Sequence, residues 1–131
     1  MADFKDLFQA ADWKSEKHVP VIEAPERIKK GESVTITVSV GKQIPHPNTT
    51  EHHIRWIEVY FHPKGEKFPY QIGRFEFNAH GESVQGPNTS TIFAQPTVTC
   101  NFKTEKPGVI LVSSYCNIHG LWEGNQDLNV E

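Results

Sequence analysis

Methionine is all but missing, with Met1 the one instance, and cysteine is scarce, with Cys100 and Cys116 alone in 131 residues. Two cysteines make at most one bridge, so the chain is not a disulfide scaffold. A single methionine at position 1, far from either cysteine, also withholds the usual weak axial ligand of a blue-copper site. No basic block exceeds the pair Lys29 and Lys30, and the formal charge is -3. The concentrated positive surface that nucleic acid or anionic membrane requires is therefore absent. There is no apolar run of about 18 residues, the least a membrane helix needs, and no stretch like a signal peptide. A soluble, cytoplasmic protein is the expectation, with residues 1–131 forming a single domain large enough to fold without a metal staple.

What is present points to β-structure. Nine prolines and nine glycines accompany an apolar fraction of 37%, a mixture that suits many turns around a real core. Residues 32–40, ESVTITVSV, alternate with Val34, Ile36, Val38 and Val40 on one face, the period of a half-buried strand. HIRWIEVYF, YQIGRFEFNA, TSTIFAQPTVTCNF and VILVSSY read as further strands, and the tail NQDLNVE as a last edge strand. Pro96 inside one of these runs predicts an edge or a bulge. MADFKDLFQAAD allows one short helical turn, and Pro20 and Pro25 keep the following passage extended. About seven short strands with no intervening helices predict an all-β antiparallel sandwich.

Seven histidines supply the chemistry. His18, then His46 with His52 and His53, then Cys116 with His119 fall in loops or at strand ends, and the loops at one end of a sandwich converge. Neighbours on a strand point to opposite faces, so one of His52 and His53 should reach a common site, and spacing does not say which. A thiolate selects zinc, copper or iron over calcium or magnesium. Backbone N–H groups of Asn117, Ile118, His119 and Gly120 are candidates to point at the sulfur and tune it. Cys100 shares strand parity with Val98 and Phe102, as a small buried apolar residue would. Trp122 and Tyr115 are expected to pack beside the Cys116 loop. A zinc or copper module, or a free reactive thiol at Cys116, would use the same residues without enzymatic chemistry.

EKHVP, HPNTTEH followed by IRWIEVYF, and SYCNIHGLWEG, in that order along nearly the whole chain, resemble the superoxide reductases of the neelaredoxin and desulfoferrodoxin family. The resemblance implies an immunoglobulin-like sandwich and one mononuclear non-haem iron per chain, cycling between Fe2+ and Fe3+. It implies His18, His46, His52 and His119 as equatorial ligands, Cys116 as the axial thiolate, and Glu16 as a sixth ligand in the ferric state only. It also assigns His52 rather than His53 to the metal, with His53 standing where relatives often carry an aromatic residue. With Cys100 and Cys116 alone, the chain resembles the one-iron neelaredoxin type and carries no four-cysteine desulforedoxin-like domain. The implied reaction is reduction of superoxide to hydrogen peroxide with electrons from a rubredoxin-like protein, in a homodimer or homotetramer. Lys17 is the residue expected to attract the anion. Glu16, ionised near its reference pKa of about 4, is expected to assist product release while solvent supplies protons.

Overall fold

The computed structural model describes residues 2–131. A short 3-10 turn, Phe4–Leu7, precedes eight strands: β1 Val21–Glu23, β2 Arg27–Ile28, β3 Ser33–Ser39, β4 Ile54–Pro63, β5 Tyr70–Glu76, β6 Thr97–Lys103, β7 Gly108–Cys116 and β8 Gly120–Val130. They form two sheets, ordered β1-β3-β6 and β2-β8-β7-β4-β5. All pairs are antiparallel except the two-residue pairing of β2 with β8. No helix among the described residues is long and apolar enough to cross a membrane.

The alternation of β3 sends Val34, Ile36 and Val38 fully inside, where they join Ile57, Val59 and Phe61 of β4 and Ile110 and Val112 of β7 in one apolar cluster. Burying each such side chain is worth about 1.5–3 kcal/mol, so this cluster dominates the stability of the sandwich. Cys100, paired with Ile36 across β3 and β6, packs against the cluster as a free thiol.

Three details depart from the sequence reading. The tail is not a separate edge strand: residues 120–130 form one continuous strand whose first half pairs with the Cys116 end of β7 and whose last residues are flanked by β2. The strand around Pro96 starts only at Thr97, because proline cannot donate to the ladder. In β4 the register against β7 shifts between Ile54 and Trp56, leaving Arg55 as an extra residue. That bulge puts Ile54 and Ile57 on the same inner face despite their odd spacing.

Candidate metal centre

Three segments meet at one end of the sandwich: the passage before β1, the β3–β4 connection, and the hairpin between β7 and β8. The hairpin turns through Asn117, Ile118 and His119, with Cys116 paired to Gly120. Gly120 has φ +81°, the left-handed conformation that closes a three-residue hairpin loop and that glycine adopts without strain. Cys116 continues the inward parity of Ile110, Val112 and Ser114 and is fully buried. Its sulfur accepts a hydrogen bond from the His119 N–H at 3.4 Å. Of the candidate loop amides, that of Asn117 goes instead to the His53 carbonyl.

His18 enters from the other sheet. Its ring lies flat on Trp122, with centroids 5.0 Å apart and planes 13° apart. Glu16 accepts hydrogen bonds from the His18 backbone N–H at 2.9 Å and from Nδ1 at 2.6 Å. With Nδ1 occupied, Nε2 is turned to the centre and lies 3.0 Å from His119 Nδ1, which is itself 3.2 Å from His52 Nε2. Ring nitrogens bound to one metal at about 2.1 Å and at right angles stand roughly 3 Å apart. Ligand atoms of His18, His52, Cys116 and His119 all fall within 4.8 Å of one another.

His46 completes the ring of imidazoles, packing edge-on at 4.8 Å between centroids against both His18 and His52. Its Nδ1 donates to the Pro47 carbonyl at 2.6 Å, while its Nε2 is buried with no partner. An orphaned buried nitrogen is costly unless something coordinates it. Burial pushes the His46 pKa down to about 4, against the Pro47 hydrogen bond and with help from the charges of His18, His52 and Lys17. Burial also lowers His52, together with the charges of His119, His18 and Lys17. Both rings are thus neutral near pH 7, the form that binds metal. The donor set, imidazoles with one thiol, fits iron, copper or zinc.

The remaining residues are placed as follows. His53 faces away from the donors and stacks on His80, centroids 3.5 Å apart and planes 7° apart, with its Nδ1 donating to Thr49 O. Glu16 sits on the outer, Nδ1 side of His18 rather than among the converging atoms. Burial works to raise its carboxyl, but the hydrogen bonds and charge of His18 outweigh this and hold it below its ordinary value. The Lys17 backbone packs on Gly41, where an added Cβ would lie 2.6 Å from the Lys17 carbonyl. Tyr115 does not line the loop: it points to the opposite face from Cys116 and stacks on Trp56. One contributor went unread in the sequence. Gln9, in a bridge beside Trp122, donates from Nε2 to the His119 carbonyl at 3.0 Å, and Trp122 Nε1 donates to the same oxygen at 3.2 Å. A lone glutamine in a polar terminal stretch carries no pattern that would reveal this.

This sandwich, closed at one end by four imidazoles and a thiol, belongs with a known class. The desulfoferrodoxin family profile matches residues 10–125, and the chain belongs to the desulfoferrodoxin family. Among its relatives, the superoxide reductase of Pyrococcus furiosus is 58% identical over 123 residues, covering 94% of this chain and 97% of that protein. The neelaredoxin of Megalodesulfovibrio gigas is 55% identical, covering 92% and 93%. The solved structure of the Archaeoglobus fulgidus superoxide reductase (neelaredoxin) in the reduced form superposes with a TM-score of 0.87 at 60% identity, covering 94% of this chain and 98% of that one.

Proposed function

We propose that the chain is a superoxide reductase, with one mononuclear iron held by His18, His46, His52, His119 and Cys116. The observation that carries this is the convergence of His18, His52, His119 and Cys116, with His46 packed edge-on against two of these rings and its buried Nε2 without a partner, and the similarity to proteins named superoxide reductase and neelaredoxin supplies the activity. The net reaction joins superoxide, one electron and two protons into hydrogen peroxide. Iron bound here would supply the electron by passing from Fe2+ to Fe3+ and an open position at which superoxide is met directly.

The chain's own residues prepare that site. Trp122 and Glu16 fix the plane and tautomer of His18, and such outer contacts orient metal-binding imidazoles. The His119 N–H moderates the electron donation of the Cys116 sulfur. Lys17 supplies a positive charge that reaches His46 and His52, so it draws the anion toward the same place. Glu16 is ionised at neutral pH and would serve as a sixth ligand in the ferric state only, assisting product release while solvent provides the protons. Electrons arrive from an external rubredoxin-like protein, and the working form is a homodimer or homotetramer.

Electron paramagnetic resonance of the purified protein after mild chemical oxidation tests this reading. A high-spin ferric signal for about one iron per chain is expected. A cupric signal would make the protein an electron-transfer module, and a tetrahedral zinc site would make the centre structural.

A further inference from the structure

Asn117 lies between Cys116 and His119 but contributes no atom to the donor cluster. Its side-chain oxygen accepts the His53 N–H at 2.9 Å, its side-chain nitrogen donates to the Glu51 carbonyl at 2.9 Å, and its own N–H donates to the His53 carbonyl at 3.2 Å. Glu51 and His53 are the residues on either side of His52. One amide therefore brackets the backbone that carries one metal donor and ties it to the hairpin that carries two others.

The position explains why a side chain is used. Ile54 and Cys116 are the last pair of the β4–β7 ladder, and beyond them the two chains part to surround the site. Past that point one backbone bond remains, from the Asn117 N–H to the His53 carbonyl, and it does not reach the far side of His52. A side chain with both a donor and an acceptor at short reach continues the ladder by one rung, and asparagine has both. Asn88 anchors the far side of the same segment: its Oδ1 accepts the Thr50 N–H, and its Nδ2 donates to the Glu51 carboxylate.

We propose that Asn117 is a positioning residue that sets the spacing of His52 from Cys116 and His119, and so the strength and symmetry with which the centre holds iron. This rests on the reading of the centre as an iron site. Loss of such outer hydrogen bonds lowers metal affinity by about 10–100-fold.

The test compares iron-loaded wild type, Asn117→Ala, Asn117→Asp and Val98→Ala, the last a truncation in β6, on the other sheet. Each is measured for iron release to a chelator at a temperature well below its unfolding midpoint, for its ferric thiolate absorption band, and for melting temperature. Asn117→Ala should release iron at least about tenfold faster with a displaced absorption band. Asn117→Asp, which keeps the acceptor but not the donor, should fall between it and wild type. Val98→Ala should lose melting temperature alone. Release and absorption in both Asn117 variants equal to wild type, or altered equally in Val98→Ala, would overturn the clamp while leaving the iron site standing. Should Asn117→Ala not fold, Asn117→Asp decides by the same two readouts. Wild type that holds no iron would overturn the parent reading, and the clamp with it.

Discussion

Glu16 and Lys17 are neighbours in the passage before β1 yet act on different things. Lys17 adds charge without a hydrogen bond to the donors, so Lys17→Ala should keep its iron and capture superoxide about tenfold more slowly at low salt. Pulse radiolysis across ionic strengths reads this: capture in wild type should fall with salt and in the variant should not. Glu16 leans on His18 Nδ1, and on the proposed reading, in which solvent supplies the protons, Glu16→Ala should sustain steady turnover with an efficient electron donor. Abolished turnover in that assay would make Glu16 an obligatory proton carrier. The candidate donors were legible at this scale, because a thiol and several imidazoles in loops narrow the chemistry, whereas the choice of His52 over His53 came only with the family resemblance. The hydrogen bonds of Gln9 and Asn117 were not, since polar side chains in turns carry no periodic signal.

Among elements, the β7–β8 hairpin and the β3–β4 connection carry most of the centre. Gly120 has φ +81° with open space where a Cβ would go. Gly120→Ala should therefore cost about 1–2 kcal/mol from backbone strain alone, read as a lower urea midpoint, with iron content unchanged. The connection is backed by the stacked pair His53 and His80. Burial pulls the His80 pKa below 6.5, against its hydrogen bond to the Phe77 carbonyl. As pH falls through 6.5 the unfolded chain takes up this proton before the folded chain does, so His80 makes stability decline from there toward its lower folded pKa. His80→Gln, which keeps a donor but does not titrate, should flatten the change in urea midpoint between pH 7.5 and pH 5.5; an unchanged slope would place the sensitivity elsewhere. The strands of this region were legible from alternation, whereas the bulge at Arg55 was not. A bulge is fixed by the register of two distant strands, and local pattern does not report it.

At the scale of the molecule, the core extends well beyond the centre, which it meets at Cys116. Ile36, Val38, Ile57, Val59 and Ile110 are buried without reference to any metal. Iron removed by a chelator should thus leave the far-UV circular dichroism of the sandwich intact and lower only its melting temperature, since binding adds stability to the native state alone. Collapse of the spectrum would make the metal part of the fold. The two-sheet architecture was legible from strand number and the lack of helices. The parallel β2–β8 pairing was not, because two residues hold no period.

His18 and His119, whose ring nitrogens meet at 3.0 Å, are 101 positions apart in the chain. Donors drawn from the two ends of the sequence exist as a set only after both sheets have paired, so the emerging polypeptide does not yet hold the complete centre. Folding must come first and metal last. On the proposed reading of the centre as an iron site, finished apoprotein would stand in reserve, and the supply of iron, rather than the rate of protein synthesis, would decide how many molecules are armed.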